Sequence, residues 1–121
     1  CVCQLPYYLN AIAEMNKRIS QPSYYVFSDD IAWVKENLPL PKAFFIDWNK
    51  GAESWQDMML MSRCRHHIIC NSTFSWWGAW LNPRENKTVI MPERWFRHCE
   101  TPDICPDKWI KVPINQPDSI Q

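Results

Sequence analysis

The stretch HHIICNSTFSWWGAWL, residues 66–81, decides the predicted fold because it joins a strand to a helix. Its first part, His66 to Cys70, is short, apolar and rich in isoleucine, which is typical of a buried strand. Its second part begins with hydroxyl residues, which favour a helix start near Ser72, and runs through tryptophans to Leu81. A strand followed directly by a helix is the repeating unit of a parallel α/β sheet.

The same alternation continues on both sides of this stretch. Apolar residues at a helical period, or short β-branched and aromatic runs, indicate each further element. Helices are predicted over Leu5–Ile19, Ile31–Leu38 and Ser54–Cys64, and strands over Ser23–Phe27, Lys42–Asp47, Thr88–Met91 and Trp109–Val112. The pattern predicts a Rossmann-like α/β domain whose mainly parallel sheet is covered by helices on both faces. We expect four strands to be neighbours in one parallel sheet, namely Ser23–Phe27, Ala43–Ile46, His67–Cys70 and Val89–Met91.

Length and charge restrict the class of protein. The 121 residues fit one compact domain with its own core. The 13 basic and 13 acidic residues give zero net charge and are scattered, so the sequence shows no electrostatic footprint for nucleic acid or an anionic membrane. No apolar run approaches the ~20 residues of a membrane-spanning helix. Since the chain opens on Cys1 in what reads as continuing sequence, we expect a fragment of a longer protein.

Cysteine, histidine and glycine positions exclude some kinds of site. The six cysteines form no CxxC pair, and both free thiols and disulfides are compatible with their spacing. Residues 64–70 contain metal-ligand side chains, but strand alternation turns His66 and His67 to opposite faces, so we expect no metal site. Gly51 and Gly78 are the only glycines, which excludes both glycine-loop phosphate motifs. A phosphate bound here is therefore held without a glycine loop.

Polar residues follow three of the predicted strands, as Ser28-Asp29-Asp30, Asp47 and Asn71-Ser72-Thr73. Ligands of parallel α/β sheets bind outside these carboxyl ends. A helix that begins at Ser72 or Thr73 offers backbone N–H groups and the positive end of its dipole to an anion. The hydroxyls there add donors in place of glycines. The alternative is that Ser72 or Thr73 only caps the helix.

Other candidate residues also have two interpretations. Asp57 stands three residues after Ser54, as in a capping box, but a carboxylate at a helix start could also accept from the N1–H and N2–H₂ of guanine. Asp29 and Asp30 could cap a helix, bind a sugar hydroxyl or hold a cation. The tryptophans within residues 76–80 lie close together on the helix, where they could stack on a sugar or base or pack against the sheet.

Four stretches carry a resemblance to a known family. They are LPYYLNAI (5–12), YYVFSDDIAWVKENL (24–38), WQDMMLMSRCRHHIICNSTFSWWGAWLN (55–82) and VIMPERWF (89–96). Together they resemble the C-terminal half of the α-1,2-fucosyltransferases, glycosyltransferase family 11. The resemblance covers nearly the whole chain, and the stretch containing FSWWGAWL is a specific match.

The resemblance implies one half of a GT-B-like enzyme, whose Rossmann-like domain holds GDP-fucose and transfers fucose, with inversion, to the 2-hydroxyl of a galactoside. It implies that Asp57 recognises guanine and that Ser72, Thr73 and Ser75 lie near the diphosphate. It also implies that residues 28–30 lie near the nucleotide sugar. The implied partners are GDP-fucose, a galactose-terminated glycan acceptor and the N-terminal half of the enzyme. From the residues themselves we expect no nucleic acid, cofactor or metal. The expected substrate-binding residues are Ser28, Asp29, Asp30, Asp57, Asn71, Ser72, Thr73 and Ser75.

The sequence departs from the family in one motif. The HxRRxD motif, whose arginine holds the diphosphate in the family, does not occur in these 121 residues. Inverting transfer requires that the charge developing on GDP be stabilised, by a cation or a helix N terminus. We therefore expect the catalytic arginine upstream and the isolated chain to be inactive. The expected location is cytoplasmic, either free or peripheral to a membrane.

Two other classes of protein share parts of this pattern. A receiver-type signalling domain also carries an acidic pair, a later aspartate and a Ser/Thr, which Asp29-Asp30, Asp47 and Ser72-Thr73 could mimic. However, Pro92-Glu93 stands where that class requires a lysine. A non-catalytic nucleotide- or carbohydrate-binding α/β module is the other alternative. If the protein binds GDP and is not phosphorylated by a small phosphodonor, it is a transferase or a binding module rather than a receiver domain.

Overall fold

The computed structural model describes residues 4–28, 30–38, 40, 42–46, 54–70, 72–93, 106 and 108–115, without the side chains of Ser54 and Thr73. Helices and strands alternate along these residues in the predicted order, and each predicted element is confirmed with bounds shifted by a few residues. The elements are α1 (Leu5–Arg18), β1 (Tyr24–Phe27), α2 (Ile31–Asn37), β2 (Ala43–Ile46), α3 (Ser54–Ser62), β3 (His67–Ile68), α4 (Thr73–Trp80), β4 (Val89–Pro92) and β5 (Ile110–Val112).

A buried tyrosine of helix α1 forms hydrogen bonds to the sheet region. Pro6 is tolerated because it lies in the first turn, where no intrahelical N–H is required. Tyr7 is fully buried, and its hydroxyl donates to the carbonyl of Ile69 and lies 3.4 Å from that of Ile90. Leu9, which the periodicity places on the apolar face, is instead 37% exposed. The buried stripe of α1 is therefore centred on Tyr7 rather than on Leu9.

Strands β3, β4 and β5 form a parallel sheet that has a helix on each face. Successive side chains of a strand point to opposite faces, so the two faces carry different apolar clusters. Ile90 and Val112 pack with α1, whereas Val89 and Met91 pack with Ala79 of α4. The covering of both faces, predicted from the sequence, is confirmed for this sheet.

Strands β1 and β2 pair with each other, in parallel, as a separate sheet. The expected single sheet with four neighbouring strands is therefore not what the described residues form. The backbone of β3 bonds to β4, with the His67 amide 2.8 Å from the Thr88 carbonyl and the Ile69 amide 2.9 Å from the Ile90 carbonyl. Residues of both β1 and β3 line one cavity.

Helices α3 and α4 pack closely because α4 has a glycine at their contact. A Cβ built on Gly78 would lie 2.4 Å from the Met61 sulfur. On another side of α4, the ring of Trp76 stacks on Trp80 with centroids 5.2 Å apart and 11° between planes, and lies 5.8 Å from Trp109. Trp76 thus packs towards the sheet as one interpretation predicted, whereas Trp80 is 50% exposed. None of the helices in the described ranges is long and apolar enough to cross a membrane.

Candidate functional site

A cavity of about 710 Å³ is lined by residues of β1, β3, α1 and α2. Two of the predicted site residues lie on its wall, namely Ser28, directly after β1, and Ser75, in the first turn of α4. Cys70 also lines it, with its sulfur 3.7 Å from the Ser75 hydroxyl oxygen. The fold therefore brings polar residues that follow β1 and β3 to one cavity.

The start of α4 is organised by two serine hydroxyls. Ser72 is the N-cap, and its Oγ accepts from the Ser75 amide at 3.0 Å. The buried Ser75 hydroxyl lies 2.9 Å from Ser72 Oγ and 3.1 Å from the carbonyl oxygens of both Cys70 and Ser72. The capping interpretation of Ser72 is thus confirmed. Capping leaves the amides of residues 73 and 74 at the positions where a helix start offers donors to an anion.

Ser28 and Asp30 form a capped turn before α2. The Asp30 amide donates to the Ser28 hydroxyl oxygen at 3.0 Å, and Asp30 Oδ1 accepts from the Trp33 amide at 3.2 Å. Helix capping, one of the interpretations given to Asp30, is therefore confirmed. Asp29 lies outside the described residues. The role of this turn in binding a nucleotide sugar stays a prediction.

Asp57 lies in the first turn of α3 and is only 8% exposed. It is not among the residues that line the 710 Å³ cavity. Its role towards guanine stays a prediction. Asp47 and Asn71 lie outside the described residues, as do the side chains of Ser54 and Thr73. The proposed capping box from Ser54 to Asp57 is therefore not described either.

A polar cluster at the C-terminal ends of α3 and α4 was missed by sequence reasoning. The buried Asn82 side chain donates to the Cys64 carbonyl at 2.7 Å and lies 2.9 Å from His67 Nε2. Lys87 Nζ donates to the carbonyls of Ala79 and Asn82 at 2.9 and 2.7 Å. Its charge therefore complements the negative end of the α4 dipole. The basic residues around it are separated in sequence, and only the fold brings them together.

The two adjacent histidines are held as neutral, structural groups. Burial, followed by the charges of Lys87, His66 and Arg84, lowers the pKa of His67 to about 4. The ring nitrogen Nδ1 of His66 accepts from the Thr88 amide at 2.9 Å, and burial and Arg65 lower the pKa of His66. Each ring therefore has a hydrogen-bond partner later in the chain, which is Thr88 for His66 and Asn82 for His67. Within the described ranges, Cys64 and Cys70 are free thiols.

A comparison with protein families assigns the chain. The model of Glycosyl transferase family 11 matches residues 1–112. The chain belongs to this family. The family-11 assignment confirms the resemblance drawn from the sequence and removes the receiver-type alternative. The matched region contains all four helices and all five strands described above.

The relatives of this family-11 chain are glycosyltransferases. An alpha-1,2-colitosyltransferase of Escherichia coli is 37% identical over 115 residues, which are 92% of this chain and 40% of the relative. The O-antigen biosynthesis glycosyltransferase WbnK of Escherichia coli is 38% identical over 112 residues, or 92% of this chain and 37% of the relative. A galactoside alpha-(1,2)-fucosyltransferase 1 of Ateles belzebuth is 30% identical over 77 residues, 62% of this chain and 21% of the relative. The chain thus spans about two fifths of the length of the E. coli relatives. No solved structure matches it.

Proposed function

We propose that this chain is the donor-binding part of an α-1,2-fucosyltransferase that transfers fucose from GDP-fucose to the 2-hydroxyl of a galactose-terminated glycan. In this proposal the chain forms one half of a GT-B-like enzyme, and a cleft beside the start of α4 holds the nucleotide sugar. Membership of family 11 and the α-1,2 linkage in the names of two kinds of relative support it.

The observation that carries the proposal is the geometry at the start of α4. The helix begins directly after the segment that follows β3, and its N-cap Ser72 uses its hydroxyl to bind the Ser75 amide. The first two helical amides are then the donors available to a diphosphate, in a position where the helix dipole favours negative charge. Ser28 and Ser75 line the neighbouring cavity, which provides polar contacts beside this anion site.

The chemistry assigned to this site is stabilisation of the leaving group. The acceptor hydroxyl loses its proton to a general base as its oxygen attacks the anomeric carbon of fucose from the face opposite GDP, which inverts the configuration. The bond from that carbon to the diphosphate oxygen breaks, and its electron pair becomes charge on GDP. Donors fixed before the reaction stabilise this charge without reorganising. An arginine of the HxRRxD type, implied by the family resemblance, would add a cation beside the helix start.

Substitutions at Ser72 test this proposal because they separate capping from anion binding. Asp and Asn are both good N-caps, so Ser72→Asp and Ser72→Asn should keep the thermal stability of the protein, whereas Ser72→Ala should lose about 1 kcal/mol. The added carboxylate of Ser72→Asp would repel a diphosphate. We therefore expect GDP binding, measured by calorimetry, to be lost in Ser72→Asp and kept in Ser72→Asn. Equal GDP binding by these two variants would overturn the proposed site.

Transfer itself is best measured in a chimera in which this chain replaces the corresponding part of the E. coli colitosyltransferase. We expect the chimera to transfer fucose in the absence of added divalent metal, and the isolated chain to bind GDP without transferring fucose. Replacing Ser72 and Thr73 together with alanine should lower the rate of the chimera while leaving it folded. Fucose transfer by the isolated chain, or abolition of transfer by a chelator, would contradict this account.

Colitose is a second candidate for the transferred sugar. The similarity to the colitosyltransferase is 37% over 92% of the chain, against 30% over 62% for the fucosyltransferase of Ateles belzebuth. Supplying the chimera with GDP-fucose or with the corresponding colitose donor distinguishes the two candidates. A higher kcat/KM for the colitose donor would change the sugar named in the proposal and leave the diphosphate site unchanged.

A further inference from the structure

The cavity of about 710 Å³ runs along the edges of two strands rather than over a face of a sheet. It is lined by the consecutive residues from Ser20 to Ser28, which include all of β1, and by those from Arg63 to Ile68, which include β3. Successive side chains of a strand point to opposite faces, so a cavity over one face would touch only alternate residues. Contact with consecutive residues therefore places the cavity at one edge of each strand.

On β1, this edge is the one that does not pair with β2. The Tyr24 amide donates to the Lys42 carbonyl at 2.8 Å, so the backbone groups of Tyr24 and of the alternate residue Val26 point towards β2. Those of Tyr25 and Phe27 point to the opposite edge. Among the described residues, β1 pairs with β2 alone, so this opposite edge has no strand beside it.

On β3, the edge opposite β4 is also free. The amides of His67 and Ile69 donate to carbonyls of the β4 segment at 2.8 and 2.9 Å, so the backbone groups of Ile68, which lies between them, point away from β4. Within the described ranges, β3 pairs with β4 alone. Two sheets thus border one cavity with their unpaired edges.

Helix α1 contacts both of these strands. Tyr24 of β1 and Ile68 of β3 pack against the same buried cluster, which includes Tyr7 of α1. The Tyr24 hydroxyl also donates to Asn16 Oδ1 of α1 at 2.7 Å. Apolar side chains of the same helix line the cavity, namely Ile12, Met15 and Ile19. Protein interiors contain few voids larger than a water molecule, so an opening of this volume beside one helix and two sheets is a place for a further element of the fold.

We propose that a further β-strand, from the segment of the longer protein that precedes α1, fills this cavity and joins the two sheets. Helices α2, α3 and α4 each connect one strand to the next, and a strand before α1 would give α1 the same role, as the crossover of a βαβ unit. The chain spans 40% and 37% of its E. coli relatives, which are therefore long enough to supply the strand. Connections longer than about 15 residues are uncommon, which places the strand within roughly 20 residues before α1.

The resulting strand order is that of a doubly wound sheet. The order becomes β2, β1, the new strand, β3, β4 and β5, which reads 3-2-1-4-5-6 when the new strand is counted first. The helices fit this arrangement in two pairs. The rings of Tyr8 in α1 and Trp33 in α2 lie 6.2 Å apart, whereas α3 meets α4 through Met61 and Gly78. Since α1 and α4 cover opposite faces of β3–β5, each pair belongs to one face.

The position between two sheets determines the chemistry of the new strand. Both of its edges pair with a neighbour and both of its faces are covered, so it should be a nearly continuous apolar run. It takes the part of the cavity that lies between the free edges of β1 and β3. Ser28 and Ser75 follow these strands and remain outside, at the carboxyl end of the joined sheet. The inference goes beyond the proposed transferase activity and does not depend on it.

Hydrogen exchange followed by NMR tests the proposal by comparing the isolated chain with the chimera described above, which has the colitosyltransferase residues before α1. The amides of Tyr25, Phe27 and Ile68 would become bonded to the new strand in a buried sheet. We expect their exchange to slow at least about tenfold more than that of Val26 and Ile69. The last two amides are matched controls, because they point to β2 and β4 in both proteins.

Two further measurements identify the segment. Replacing the roughly 20 residues before α1 in the chimera with a Gly-Ser linker of equal length should remove the selective slowing, and the Ile90 amide shows whether β3–β5 is still folded. If that variant does not fold, a synthetic peptide with the same residues is added to the isolated chain. The peptide should slow exchange at the three free-edge amides, whereas a peptide with the same composition in scrambled order should not.

Three results would overturn the proposal. They are equal slowing of free-edge and control amides in the chimera, selective slowing that persists with the linker, and equal effects of the two peptides. Selective slowing in the isolated chain on addition of GDP alone would instead assign the cavity to the nucleotide. Because the tests of the strand are made without GDP, their failure is distinct from a failure of the proposed donor site.

Discussion

At the scale of single residues, the start of α4 shows why a hydroxyl residue is hard to interpret from sequence. The sequence predicts that Ser72 either caps the helix or serves an anion site, and the structure shows the cap. The two roles do not exclude each other, since the cap satisfies only the Ser75 amide. The family resemblance implies that Ser75 lies near the diphosphate, but its buried hydroxyl contacts backbone carbonyls. Only side-chain geometry could reveal that partner.

Asp57 gives a prediction about nucleotide selectivity. Guanine presents two adjacent donors, and a carboxylate can accept both, whereas an asparagine amide offers one acceptor and one donor. We expect Asp57→Asn to weaken GDP binding on the order of a hundredfold, as hydrogen bonds to a charged group contribute roughly 1.5–3 kcal/mol. UDP binding should not change. Calorimetric titration of both nucleotides measures this, and equal weakening for GDP and UDP would assign Asp57 to the structure of α3 instead.

His67 gives a prediction about acid stability. Its pKa is about 4 in the folded protein, against 6.5 for an unperturbed histidine, so the unfolded chain takes up a proton first as the pH falls. The stabilising effect of the neutral ring is therefore complete above pH 6.5 and is lost as the pH falls from 6.5 towards 4. The gap between these values corresponds to roughly 3 kcal/mol. Urea unfolding at a series of pH values measures this loss.

The control for this effect is His67→Gln, whose side-chain oxygen can accept from Asn82 as the ring nitrogen does. The variant cannot titrate in this range, so its unfolding free energy should depend less on pH between 6.5 and 4. The same pH dependence in the variant and in the natural sequence would show that other groups, such as His66, cause the acid sensitivity.

At the scale of elements, the existence and order of helices and strands followed from local patterns. The period of α1, the capping residues before α2 and α4, and the β-branched content of β4 are all local, so they were predictable. The contact between α3 and α4 was not, because it depends on Gly78 meeting Met61 across two helices. A helical glycine looks only unfavourable in sequence, since it costs about 1 kcal/mol relative to alanine.

Whether Gly78→Ala raises or lowers the free energy of unfolding should therefore depend on Met61. In the natural sequence, the new methyl group would lie 2.4 Å from the sulfur and 2.9 Å from Cγ of Met61, so the helices or the side chain must shift. We expect a net loss of about 1 kcal/mol, because overpacking exceeds the gain in helix propensity. In a Met61→Ala background the clash is removed, and Gly78→Ala should then stabilise the protein. Denaturant unfolding of the four proteins gives this comparison. A gain in both backgrounds would show that the contact is not tight.

At the scale of the whole molecule, the sequence predicted the class of fold but not how the strands are divided. Parallel pairing and coverage of both faces by helices followed from the alternation of elements. The separation of β1–β2 from β3–β5, with a cavity of about 710 Å³ lined by β1 and β3, did not follow. Both the division of the strands and the cavity depend on packing between segments that are distant in sequence.

The division into two sheets predicts two levels of protection against amide exchange. A two-stranded sheet with half-exposed strands is marginal alone, whereas all of β4 is buried between two helices. We expect the amides of Val26 and Phe27 to exchange at least about tenfold faster than those of Ile69 and Ile90. Hydrogen exchange followed by NMR measures each amide. Equal protection in the two sheets would indicate that they open as one unit.

The stacked indoles of Trp76 and Trp80 have an optical consequence. Their centroids are 5.2 Å apart and their planes are 11° from parallel, so their electronic transitions couple. The circular dichroism of such a pair depends on the angle and separation of the rings, and differs from that of separate indoles. Both rings are carried by α4, whose first turn is the proposed diphosphate site. A change in the relative orientation of these two rings when the site is filled would therefore alter the circular dichroism of the natural chain, without an attached label.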